Sequence, residues 1–140
     1  MDFVSNIKTA PFSIDKVFAK VSDLNNLKGL RQETEKGVIE FEPVDSDRCH
    51  IKVSSMAQLT LKVVDRTPTK QVKLETEQSP ISATLWIQLL PHKEQSDSTL
   101  IKITLRAELN ILIKGMVQKP LQEAVEKLAQ VLESIDYDHI

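Results

Sequence analysis

Hydrophobic and polar positions change period twice along this chain. From Asp2 to Thr9, Phe3, Ser5 and Ile7 oppose Val4 and Asn6, a loose alternation that predicts a strand, and Ala10-Pro11 breaks it. Ile14, Val17, Phe18 and Val21 then recur at helical spacing. Ser13 stands where an N-cap is needed, and Phe12 before it is placed to staple against Val17. Asp23 is positioned to cap a second, shorter helix carrying Leu24, Leu27 and Leu30, which Gly29 and the charged stretch from Arg31 to Lys36 weaken and end.

From Gly37 to Leu109 the pattern alternates and turn-forming residues recur roughly every ten positions, as in an antiparallel meander. Six strands are predicted there: Val38 to Glu42, Arg48 to Ser54, and runs carrying Leu59, Leu61 and Val63; Val72, Leu74 and Thr76; Ala83, Leu85, Ile87 and Leu89; and Ile101, Ile103, Leu105 and Ala107. The intervening residues, Lys62, Lys73, Glu75, Lys102, Thr104 and Arg106 among them, are polar, so each strand offers one face to a core.

Helical spacing returns from Leu112 to about Ile135, with Ile113, Met116, Val117, Leu121, Ala124, Val125, Leu128, Val131, Leu132 and Ile135 along one stripe. Glu123 and Lys127 pair one turn apart on the opposite face, and Pro120 removes a backbone donor and is expected to kink the helix. Strands with one apolar face and a helix with one apolar stripe bury both only if the sheet curls around the helix. The expected fold class is therefore α+β: a seven-stranded curved antiparallel sheet around a long C-terminal helix, with two short helices after the first strand.

A length of 140 residues predicts one core, so residues 1–140 are read as a single domain. Lys and Arg number 18 against 20 Asp and Glu, a formal charge of −2 with no dense basic run, which argues against nucleic acid as a partner. No segment approaches the ~20 consecutive apolar residues of a membrane span. The opening Met-Asp-Phe-Val-Ser-Asn has neither the basic end nor the apolar run of a signal peptide, so a cytoplasmic location is expected. The one cysteine, Cys49, leaves no thiol partner for a disulfide or a structural zinc.

The order of one strand, two short helices, six antiparallel strands and a long helix resembles the helix-grip fold of the START-like, or SRPBCC, superfamily over nearly the whole chain. Ser13-Ile14-Asp15-Lys16-Val17-Phe18 followed by Ser22-Asp23-Leu24 is similar to that superfamily's opening. The run Leu85-Trp86-Ile87-Gln88-Leu89-Leu90-Pro91, and Ala107-Glu108-Leu109 leading to Gly115-Met116-Val117 and Pro120-Leu121, are similar to small uncharacterised bacterial members. The resemblance implies a pocket between sheet and C-terminal helix for lipids, sterols, polyketides or other apolar molecules. In some members it implies cyclase or hydroxylase-component chemistry, and in others co-chaperone action through the surface.

Residues with chemical potential do not assemble into a catalytic signature. His50 falls on the polar side of its strand, His92 in a hairpin loop and His139 in a C-terminal tail with Asp136 and Asp138, a spacing that fits no metal triad. Cys49 reads as a small buried hydrophobe. The pairs Glu33/Glu35, Glu40/Glu42 and Glu75/Glu77 fall on one face of a strand each, the solvent face. With Gly29, Gly37 and Gly115 as the only glycines, no phosphate-cradling loop can be built, and no cofactor is expected. Trp86 lies out of phase with Leu85 and Ile87 and is read as packing outward against a neighbour.

The leading expectation is a binding module for a hydrophobic small molecule or lipid. Its walls would come from the sheet at Leu61, Val63, Leu74, Leu85, Ile87, Ile103 and Leu105 and from the helix at Met116, Val117, Pro120 and Ala124, with Leu27 and Leu30 near the mouth. The alternatives are a cyclase-like or hydrolase-like enzyme using the same cavity and a filled-core domain that binds protein through its surface.

Overall fold

A computed structural model describes residues 1–28, 31–34, 37–53, 57–77, 82–95 and 97–138, and within them every side chain except those at 31–34, 37–39, 53, 57, 111, 113, 117 and 120. The elements among these residues are β1 (Asp2–Val4), β2 (Lys8–Ala10), α1 (Ile14–Val21), a 3₁₀ turn (Leu24–Leu27), β3 (Arg31–Thr34), β4 (Gly37–Pro43), β5 (Arg48–Val53), β6 (Ala57–Thr67), β7 (Gln71–Glu77), β8 (Ala83–Pro91), β9 (Thr99–Ala107) and α2 (Ile111–Ser134). The strands form one sheet in the order β1-β9-β8-β7-β6-β5-β4-β3, with β2 also on β9, and every pairing is antiparallel.

Register turns the alternation into rows of apolar side chains. Val63 faces Leu74, Leu74 faces Leu85, Leu85 faces Leu105 and Leu105 faces Phe3, a row that crosses five strands. Beside it Val72, Ile87 and Ile103 form a second row. All of these but Leu105, which is half-buried against them, join one contiguous buried cluster with Val125, Leu128, Ala129, Val131, Leu132 and Ile135 of α2. The expected curl is visible at the edges: α2 lies close to β9, β1 and β2 on one side and to β3 on the other. A bulge at Val64, between the pairs Val63–Leu74 and Asp65–Lys73, bends the eleven-residue β6 along its length.

Three local expectations change. The first predicted strand is two, because four residues advance from Val4 to Lys8 while β9 advances three from Thr104 to Ile101. Ser5 fills the break: its backbone N–H donates to the Ile103 carbonyl at 2.8 Å and its hydroxyl accepts from the Ile103 N–H at 2.9 Å. The extra residue turns Ile7 outward, where it is 61% exposed and no longer shares the inward face of Phe3 and Ser5. Arg31 to Thr34, read as a charged stretch that ends a helix, is instead β3, an added strand paired with β4, so the seven predicted strands become nine. At the caps, Asp23 accepts from the Asn25 N–H at 3.0 Å as expected, whereas Ser13 occupies the N-cap of α1 without a side-chain cap bond.

The C-terminal tail docks through Tyr137, while Asp136 and Asp138 stay exposed to solvent as expected. Tyr137 is buried, with its ring edge against Phe12 at 5.4 Å between centroids. Its hydroxyl donates to the Leu132 carbonyl at 2.5 Å, one of the last carbonyls of α2, which has no partner within the helix. Lys20 donates to the Asp136 carbonyl at 3.2 Å, and Lys16 pairs with Asp138 at 2.6 Å.

Two stability outcomes follow. Ser5→Ala leaves the buried Ile103 N–H without its acceptor and should cost ~1–3 kcal/mol in urea denaturation. Tyr137→Ala should cost ~3–5 kcal/mol, whereas Lys16→Gln, which touches only an exposed ion pair, should barely move the midpoint. A mild Tyr137→Ala would show that the tail is not part of the cooperative unit.

Candidate functional site

The two ends of the concave face differ. At one end lie the turn between β4 and β5, the turn between β6 and β7, and the end of β8. α1, the 3₁₀ turn and the docked tail cover this end, and Val17, Val21, Leu24, Val72, Leu89, Ile101, Leu132 and Tyr137 are buried there. Its closure is pinned by the Leu24 N–H donating to the Ser46 carbonyl at 3.1 Å and by Arg66 donating to the Ser22 and Ser46 carbonyls at 2.7 and 3.0 Å. At the other end, where β9 finishes and α2 begins, the inward residues Ile51, Leu105, Leu121 and Ala124 are only half-buried. In the first turns of α2, Leu112 is 86% and Met116 76% exposed. The helix is fastened over its second half instead, with Gln122 donating to the Val4 carbonyl at 3.0 Å and Glu126 accepting from the Asn6 N–H at 2.8 Å.

The residues expected as cavity walls divide accordingly. Leu61, Val63, Leu74, Leu85, Ile87 and Ile103 are buried on the concave face, and Leu105 and Ala124 are half-buried beside the open end. Met116 is displayed to solvent, so the apolar stripe of the helix is buried from Val125 onward and only half-buried at Leu121 and Ala124. Leu27 is buried with the 3₁₀ turn beside β4, at the closed end, and so does not border the opening. Leu30 and the side chains of Val117 and Pro120 lie outside the described residues, and α2 continues as one helix past position 120.

No family model and no curated protein matches the sequence. Solved structures do. A START superfamily protein from Mycobacterium smegmatis aligns with a TM-score of 0.65 at 17% identity, over 94% of each chain. Norcoclaurine synthase from Thalictrum flavum, solved with dopamine and hydroxybenzaldehyde, aligns with a TM-score of 0.70 at 14% identity, over 100% of this chain and 89% of that one. The chain has the START-like, helix-grip fold. A conserved protein from Geobacillus kaustophilus, with a TM-score of 0.63 at 17% identity over 94% and 90% of the two chains, is a further likeness. At these identities the START-like fold fixes the geometry of the grip and leaves the contents of its interior to this chain's own side chains.

Those side chains are chemically quiet. Cys49 is buried on the concave face and its thiol is pushed up to about 11 by burial. His50 lies on the outer face, its Nδ1 2.8 Å from the Thr60 hydroxyl, and His92 accepts from the Glu94 N–H at 3.2 Å in the loop before β9. His139 and Glu35 lie outside the described residues, among which no three His, Cys, Asp or Glu side chains gather as metal ligands. Glu42 pairs with Lys52 at 2.9 Å and Glu77 with Arg48 at 3.1 Å, so these carboxylates belong to the outer face. Trp86 is also on that face, with Lys73 at 5.8 Å and Arg106 at 5.5 Å from its ring, a packing role as expected. Burial alone raises the Tyr137 hydroxyl, which its bond to Leu132 already occupies.

One concavity went unread in the sequence. A depression of about 510 Å³ lies at the closed end of β8 and β9, lined by their outward residues Gln88, Leu90, Leu100 and Lys102, by Ile7, by Ile14 of α1 and by the β6–β7 turn. The signal for it was the doublets Leu89-Leu90 and Leu100-Ile101, which make both faces of the sheet apolar there.

Cys49 carries a direct test. With its thiol near 11, about one molecule in a thousand holds a thiolate at pH 8, so a thiol-specific reagent should react with the native protein only at its unfolding rate. The raised value also fixes a sign: the folded state keeps its proton longer than the unfolded chain, whose thiol titrates near 9.0. The neutral thiol's contribution to stability is therefore complete below pH 9 and lost as pH rises through about 11. Cys49→Ala should flatten that part of the alkaline loss. Rapid labelling of folded protein at pH 8 would contradict the burial.

Proposed function

We propose that this START-like domain binds a hydrophobic small molecule or lipid between the concave face of its sheet and α2, admitted where α2 begins. The observation that carries the reading is the set of half-buried inward residues Ile51, Leu105, Leu121 and Ala124 at the end that α1 and the tail leave uncovered. Apolar side chains left partly wet at the end of an otherwise closed core gain by covering with an apolar guest, at ~25 cal/mol per Å² removed from water. A protein of the same fold, norcoclaurine synthase, was solved in complex with small organic molecules, dopamine and hydroxybenzaldehyde. Binding is favoured over catalysis by the interior's chemistry. Among the described residues the buried polar side chains beyond Tyr137 are Ser5, Lys20, Ser98 and Thr99, none a carboxylate or imidazole poised for proton transfer.

A second reading draws on the exposure of Leu112 and Met116: a filled core that acts through a protein-binding surface. Ala124→Trp separates the two. Where a cavity lies beside position 124 the ring occupies it, so stability should stay within about 1 kcal/mol of the parent while binding of Nile red is abolished. In a filled core the ring displaces its neighbours at ~1–3 kcal/mol, and the parent binds no dye. We expect the first result, together with a co-purifying apolar molecule in native mass spectrometry. A destabilised variant from a parent that binds no dye would refute the cavity.

A further inference from the structure

The outer depression beside β8 and β9 differs from the sheet surface around it. Three cations of the outer face have carboxylate partners: Arg106 with Asp2 at 2.9 Å, Lys52 with Glu42 at 2.9 Å and Arg48 with Glu77 at 3.1 Å. In the depression Lys70 and Lys102 have no ionic or hydrogen-bonding partner among the described residues, and no carboxylate is among the lining. Next to these two free charges lies apolar surface that ordinary packing would have hidden. Leu90 is 63% exposed and is paired across the strands with Leu100, and the break between β1 and β2 turns Ile7 out beside them. On the rim Thr69, a β-branched residue, adopts φ 60 after Pro68, in a turn where the Lys70 N–H donates to the Thr67 carbonyl at 3.0 Å.

We propose that this depression is a binding site for a small amphiphilic organic anion, a carboxylate on a short apolar tail. The carboxylate meets Lys70 and Lys102 and the tail lies on Ile7, Leu90 and Leu100. An inorganic anion would leave the leucines wet, and a neutral apolar molecule would leave two ammonium groups without acceptors, so neither satisfies both halves of the surface. A volume of about 510 Å³ is within the range of small-molecule sites. The site lies at the opposite end of the strands from Leu105, Leu121 and Ala124, so it stands or falls independently of the cavity proposed above.

The test is titration of ¹⁵N-labelled protein with octanoate and, separately, octanol, read by amide chemical shifts. Octanoate should give saturable shifts at Ile7, Leu90, Leu100 and Lys102. The double variant Lys70→Gln/Lys102→Gln should weaken binding at least about tenfold, as should replacing octanoate by octanol. Leu90→Gln, on the apolar side of the same site, should also weaken it. All these side chains are on the outer face, so melting temperatures should match the parent. Equal binding of octanol, or full affinity in the lysine variant, would overturn anion recognition. Shifts clustered at Leu105, Leu121 and Ala124 would move the ligand to the concave face and overturn the outer site, as would the lack of saturation at about millimolar octanoate.

Discussion

The structure depends on one helix covering one face of a curled sheet. The apolar rows from Val63 through Leu74, Leu85 and Leu105 to Phe3 would lie in water without α2, and α2 has no other apolar surface to rest on. Ala129, fully buried on α2, is small enough to let helix and sheet approach closely. Closing the grip requires both edges of the sheet to reach the helix, and the bulges at Val64 and after Val4 supply bends for that curvature.

Coverage is uneven because of how α2 is fastened. At ~1.5 Å per residue its twenty-four residues extend ~36 Å, against ~30 Å for the nine residues of β8 or β9. Its second half is tied to the loop after β1 through Gln122 and Glu126, and its last turn is capped by Tyr137. No such tie holds the first half among the described residues, and its Leu112 and Met116 lie in solvent. Local opening free energies should therefore rise along the helix from start to end.

Charge has little part in holding the fold and a larger part in marking its surface. The ion pairs Arg106–Asp2, Arg48–Glu77 and Lys52–Glu42 are exposed and screened by water. The exposed Leu90 and Ile7 beside the ammonium groups of Lys70 and Lys102 are a local departure from the alternation of inward apolar and outward polar residues.

Periodicity alone determined the sequence of elements from β4 to α2, the inward and outward faces of those strands and the inward position of Cys49. A side chain's face in a strand or helix is set by local backbone geometry, which a sequence carries position by position. What periodicity could not carry was anything fixed by a distant partner. β3 became a strand because β4 offered its edge to a segment that composition marked as loop. Ile7 left the core because β9 forced an extra residue between Val4 and Lys8, and Tyr137 joined it because Phe12, about 125 residues away in the chain, left a space beside the last carbonyls of α2. The exposure of Met116, the burial of Leu27 at the closed end and the depression between Lys70 and Lys102 are of the same kind: each depends on where a whole element comes to rest, which only the summed packing of the folded chain decides.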